Sequence, residues 1–174
     1  FKKKASKEEY LKIFQEAKNT KYKSVDDFEI SSGFKIDDEW INNLALHTQI
    51  VIKKSKICYA HGRILYSCLS DYVTKNISQK ENITILESGT SRGFSSLCMA
   101  KALDDNKANG KIITIDYLPH DKKFYWNCID DHQKKKTRRE LLNYWGDLCE
   151  KYIIFIEGYT KVILKKIKFE RVNF

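Results

Sequence analysis

Residues 83–103 read ITILESGTSRGFSSLCMAKAL. A β-branched apolar run ends in Glu87, and a turn of small residues follows, with glycines at 89 and 93. Beyond it, Ser96, Met99, Ala100 and Leu103 fall on one face at helical spacing. The pattern predicts a buried strand, a tight turn and a helix. Glycine takes backbone angles closed to other residues and lets a ligand approach the main chain. The first N–H groups of the following helix have no partner within that helix and are available to such a ligand.

The same rhythm continues downstream. NGK at 109–111 marks a turn and IITID at 112–116 a second strand. Thr137 and Glu140 form a capping box that opens a helix carrying Leu141, Leu142, Trp145 and Leu148. YIIFIEG at 152–158 gives a third strand, Thr160 opens a short basic helix with Ile163, Leu164 and Ile167, and RVNF at 171–174 starts a fourth strand. Upstream the pattern is helical only. Ser6 and Glu9 make a capping box before Tyr10, Ile13, Phe14 and Ala17; a second patch holds Trp40, Ile41, Leu44 and Ala45; a third runs from His61 to about Lys75. Strands alternating with helices imply an α/β fold with a parallel sheet covered by helices on both faces. Residues 1–60 are expected to form an N-terminal helical cap and 61–174 the sheet domain. Ligands bind such sheets at the C-terminal strand ends, where Glu87, Asp116 and Glu157 are all expected to fall.

Composition narrows the function classes. The 174 residues suffice for one domain with a real core. No apolar run reaches the length of a membrane span, and the start FKKKASKEEY has no signal-peptide pattern. The first residue is Phe1, so the true start is expected to lie upstream. Cys58, Cys68, Cys98, Cys128 and Cys149 form no CxxC pair, which points to free thiols in the cytoplasm and to neither zinc nor disulfides. The net charge of +9 admits acidic partners, but the lysines are spread along the chain, so nucleic acid is not the expected one. The densest cluster, KKKTRR at 134–139, lies just before a helix start.

ILESGTSRGFSS followed by IITID resembles the first two motifs of class I S-adenosylmethionine-dependent methyltransferases. It is most similar to their small-molecule O-methyltransferase-like branch, over roughly residues 60–174. The resemblance implies a Rossmann-like domain, S-adenosylmethionine as cofactor and a small-molecule methyl acceptor. It implies that the turn of Gly89, Thr90, Ser91 and Gly93 passes under the methionine part of the cofactor, which Glu87 helps to orient. Asp116 would accept hydrogen bonds from the ribose hydroxyls, and Glu157, Gly158 and Tyr159 would lie near the adenine. A family member has further strands beyond the fourth, so the sheet is expected to be incomplete at the C-terminus and the chain to be a fragment.

Each residue also admits a plainer role. Gly89 could serve only a tight turn, and Asp116 or Glu157 could be turn carboxylates. Thr90 and Ser91 could cap the helix. His61 and His120 are more readily structural than basic catalysts. Phe124, Tyr125 and Trp126 could wall a substrate pocket or pack an ordinary loop. Asp130, Asp131 and His132, with no partner elsewhere in the sequence, read as solvated turn residues rather than a metal site. No catalytic residue is assigned, and a homo-oligomer is left open. Two other functions stay in view: a nucleotide-binding oxidoreductase, against which the missing Gly-x-Gly-x-x-Gly speaks, and a non-catalytic module that kept the fold.

Overall fold

A computed structural model describes residues 3–76 and 81–174. Four helices come first: α1 (Lys7–Lys18), α2 (Lys23–Ser32), α3 (Asp38–Thr48) and α4 (Ala60–Asn76). The capping box forms as its spacing predicts: Glu9 N–H donates to Ser6 Oγ at 3.2 Å, and Ser6 N–H donates to Glu9 Oε2 at 2.7 Å. Tyr10, Phe14 and Ala17 then bury one face of α1. The apolar pattern gave no indication of α2, and its burial shows why. Ile30 points out at 80% exposure while Glu29 is buried, held by the Arg63 guanidinium of α4 through Nε at 2.9 Å and Nη2 at 2.5 Å. An ion pair anchors this helix where an apolar stripe would normally do so.

The sheet comprises β1 (Ile83–Ser88), β2 (Gly110–Asp116) and β3 (Ile153–Glu157), all parallel, in the order β1-β2-β3. Asp116 pairs with Glu157, and Glu87 lies opposite Thr114, two residues back from the same rim. Helix α5 (Phe94–Asp105) joins β1 to β2. Its first turn meets α4 closely: a Cβ on Gly62 would lie 2.6 Å from the Phe94 ring.

The helix expected after Thr137 is broken into α6 (Arg138–Leu141), a 3₁₀ turn (Asn143–Trp145) and α7 (Gly146–Tyr152). The capping box itself is present, with Glu140 N–H donating to Thr137 Oγ1 at 3.0 Å. Asn143 and Gly146 are weak helix formers set mid-segment, and Leu142 is drawn toward the glycine turn. After β3 comes α8 (Thr160–Ile163), a single turn.

RVNF forms no regular strand, yet it lies along the free edge of β1. Asn173 N–H donates to the Thr84 carbonyl at 2.8 Å, and Leu86 N–H to the Phe174 carbonyl at 3.1 Å. The chain therefore steps outward from β1 to β3 and then returns to the far side of β1. Right-handed crossovers put α5 and α7 on one face and α8 on the other. The first face is well buried; on the second, Ile154 stays 44% exposed. The fold is a Rossmann-like α/β arrangement with an open sheet and helices on both faces, and one apolar cluster runs from Tyr10 and Phe14 through Leu97 and Ile112 to Trp145. Among the described residues no helix is long and apolar enough to cross a membrane.

Candidate functional site

With β2 on one edge of β1 and residues 173–174 on the other, β1 is the point where the chain reverses direction, and doubly wound sheets bind ligands at the C-terminal strand ends of such a point. The turn after β1 lies at that end. Gly89 N–H donates to the Ile115 carbonyl at 2.8 Å and has φ +90°. A Cβ added there would meet nothing within 4 Å, so the missing side chain leaves open space above the turn. Gly93, at φ +85°, differs. Its Cβ would lie 2.7 Å from Leu142 Cδ1, which gives that glycine a packing reason of its own. Between them Ser91 adopts φ +49°, a left-handed conformation few side chains favour.

Beneath the turn lies a hydrogen-bonded chain. Thr114 Oγ1 donates to Glu87 Oε2 at 2.6 Å, so Thr90 Oγ1, 2.6 Å from Thr114 Oγ1, donates to it in turn. Ser96 Oγ donates to the same Glu87 oxygen. Burial raises the Glu87 pKa above the ordinary carboxylate value, against the pull of these two hydroxyls. The capping role considered for Thr90 and Ser91 does not hold: α5 has no side-chain cap, and the Thr90 hydroxyl is buried under the turn.

The end of β2 is locked to the same turn. Asp116 is buried, and each of its oxygens accepts a backbone N–H: Oδ2 from Ser91 at 2.5 Å and Oδ1 from Leu118 at 2.7 Å. Gly158 N–H donates to the Asp116 carbonyl at 2.8 Å, and Glu157 Oε2 accepts the His120 N–H at 3.4 Å. Beyond the strands, Tyr117 and Tyr159 stack with centroids 5.8 Å apart and both rings largely exposed. The structure thus brings Glu87, Gly89, Thr90, Ser91, Gly93, Asp116, Glu157 and Gly158 to one rim. A cavity of ≈ 340 Å³ lined by Tyr22, Lys35, Tyr59 and Arg63 belongs to the N-terminal helices and includes no residue of the turn.

Other sequence expectations need correction. Asp130 and Asp131 are not solvated turn residues; both are buried. Asp130 finds partners far away in sequence, accepting from Lys136 Nζ at 2.6 Å and facing His47 Nδ1 at 2.6 Å. Burial would raise its pKa, but the His47 and Lys136 hydrogen bonds outweigh that and hold it below the ordinary value. Asp131 accepts the N–H groups of Trp126 and Asn127 at 2.8 and 2.7 Å, which leaves it building a loop. Trp126 is buried in that loop, its Nε1–H donating to the Lys136 carbonyl at 2.9 Å. His61 sits against Phe94 with centroids 5.0 Å apart, and His120 stacks on Phe155 at 4.6 Å; burial lowers the pKa of both. Among the described residues no group of three or more His, Cys, Asp or Glu side chains is arranged to hold a metal ion.

No sequence signal points to Arg138, the buried member of the KKKTRR cluster at 134–139. It is 2% exposed, with Nε donating to the Ser91 carbonyl at 2.9 Å and Nη2 to the Leu118 carbonyl at 3.3 Å. Its Nη2 stands 4.0 Å from Asp116 Oδ1. Only its threefold setting in space marks it; nothing in KKKTRR separates it from its neighbours.

Three carboxylates with one buried guanidinium suit a cationic ligand that carries vicinal hydroxyls. A pyrophosphate over the same turn would lie above the Glu87 carboxylate, and like charges there are unfavourable. No protein-family model matches the chain, and no curated protein matches it in sequence. Among solved structures it is similar to the S-adenosylhomocysteine-bound methyltransferase PaMTH1 of Podospora anserina, with a TM-score of 0.49 and 18% identity over 87% of this chain. The chain spans 56% of that protein's length.

Proposed function

We propose that the chain is the cofactor-binding part of an S-adenosylmethionine-dependent methyltransferase that methylates a hydroxyl oxygen of a small molecule. The observation that carries this reading is Gly89. Its left-handed turn opens onto free space at the topological switch point, with the Asp116 and Glu87 carboxylates beside it. A ligand can lie directly on that main chain. Asp116 has lone pairs left after its two N–H bonds and can accept from ribose hydroxyls. Glu87 places negative charge under the cationic end of the ligand, and Glu157, Gly158 and the exposed Tyr117–Tyr159 pair border the space for the adenine.

When bound, S-adenosylmethionine supplies a methyl carbon made electrophilic by the adjacent sulfonium. This chain's own residues bind and orient; holding acceptor and donor in line is itself a large source of rate. A small-molecule acceptor is favoured over nucleic acid because the basic run at 134–139 is not a free patch: Arg138 is buried and Lys136 pairs with Asp130. Unpaired cysteines, Cys98 and Cys128 among them buried, fit a reducing cytoplasm. The test is transfer of a radiolabelled methyl group from S-adenosylmethionine to a panel of hydroxylated small molecules, with RNA and DNA alongside. Label on a small-molecule oxygen is expected. Label on nucleic acid alone would overturn the acceptor class, and preferential binding of NAD would overturn the reaction.

A further inference from the structure

Arg138 and Asp116, 4.0 Å apart, grip the same two residues. The Asp116 carboxylate accepts the N–H groups of Ser91 and Leu118, and the Arg138 guanidinium donates to the carbonyls of Ser91 and Leu118. Ser91 belongs to the turn after β1, and Leu118 to the segment leaving β2. Both residues lie past the β1–β2 ladder, whose register ends at Ser88 and Ile115. We propose that Arg138 is the positioning residue of the cofactor site, fixing Ser91 and Leu118 so that Asp116 faces a ribose diol. The inference rests on the cofactor reading above.

The side chain is built for this. Its backbone N–H donates to the His120 carbonyl at 3.2 Å, in the first turn of a helix capped by Thr137. Its guanidinium lies 5.6 Å from the Trp126 ring centroid and 6.0 Å from that of Phe155, and the side chain is buried. A planar fork can reach two separate carbonyls at once, where an ammonium group is a single point. Burial lowers the arginine's pKa, opposed by the carboxylates of Asp116, Glu157 and Glu87. The Ser91 carbonyl it holds belongs to a residue at φ +49°, a conformation that persists where the surroundings fix it.

The test uses Arg138→Met, Arg138→Lys and, as a control, Arg139→Met, whose side chain is exposed. Each is titrated with S-adenosylhomocysteine and with its 2′,3′-dideoxyribose analogue, at temperatures where circular dichroism shows the variant folded. Arg138→Met is expected to weaken S-adenosylhomocysteine binding by about ten- to a hundredfold. The analogue, lacking the diol, should lose less than about threefold, because the contact that Arg138 positions is already gone. Arg138→Lys should fall between, and Arg139→Met should match wild type. Should the methionine variant fail to fold, the lysine variant decides. Unchanged affinity in the Arg138 variants, or equal losses for both ligands, overturns the inference alone. Absence of S-adenosylhomocysteine binding by wild type overturns the cofactor reading and this inference with it.

Discussion

Replacing Asp116 by Asn changes one atom and two hydrogen bonds. Asp116 Oδ2 and Oδ1 take N–H groups from Ser91 and Leu118 at 2.5 and 2.7 Å, in a side chain only 7% exposed. An amide keeps one acceptor and presents a donor to the other N–H, which is then buried and opposed. Loss of one charge-assisted bond costs about 1.5–3 kcal/mol. The Arg138 guanidinium, 4.0 Å away, also loses its nearest carboxylate. For a domain of this size the melting temperature should drop by roughly 3–12 °C. Thermal unfolding followed by circular dichroism measures this, and titration with S-adenosylhomocysteine should show about tenfold weaker binding in the folded variant. A variant that melts with wild type would refute the role given to Asp116 in tying the turn to β2. One that melts early but binds normally would refute its contact with the ligand.

Gly89→Val should abolish cofactor binding, since its side chain would enter the open space over the turn, and should cost about 1–3 kcal/mol of stability for a β-branched residue at φ +90°. Normal binding by that variant would mean that the turn is only structural. Glu87 has a folded pKa raised above its unfolded value, so its contribution is fully present below the ordinary carboxylate range and is lost as pH rises through the raised value. Glu87→Gln should therefore melt higher than wild type near neutral pH while binding the cationic cofactor more weakly; a lower melting point there contradicts this. Asp130 is the opposite case, with a lowered folded pKa, so its contribution is present above the ordinary carboxylate range and fades as pH falls through the lowered value. Asp130→Asn should destabilise by about 3 kcal/mol at neutral pH, by breaking the buried contact with Lys136 and His47, and the deficit should shrink in acid.

The strand–turn–helix core was legible because its determinants are contiguous. ITILES, the two glycines and the helical spacing after Phe94 occupy one short stretch, and local chemistry decides each step. The rim carboxylates followed from strand ends, which β-branched runs mark well. What escaped was held together across the chain. Glu29 of α2 is buried because Arg63 reaches it, and no periodicity reports that. Asp130 and Asp131 look like one acidic turn, yet one turns to α3 and the other to its own loop. Arg138 sits in a run whose composition predicts solvation; its burial depends on Trp126, Phe155 and two carbonyls from distant segments. The helix break at Asn143–Trp145 likewise answers to the packing of Leu142 on Gly93.

The most direct test is a pair of calorimetric titrations of the protein, one with S-adenosylhomocysteine and one with NAD. A saturable heat with S-adenosylhomocysteine that disappears in Gly89→Val, and none with NAD, is the expected result. Tighter binding of NAD, or S-adenosylhomocysteine binding that survives Gly89→Val unchanged, would contradict the placement of a cationic nucleoside cofactor on the turn between β1 and α5.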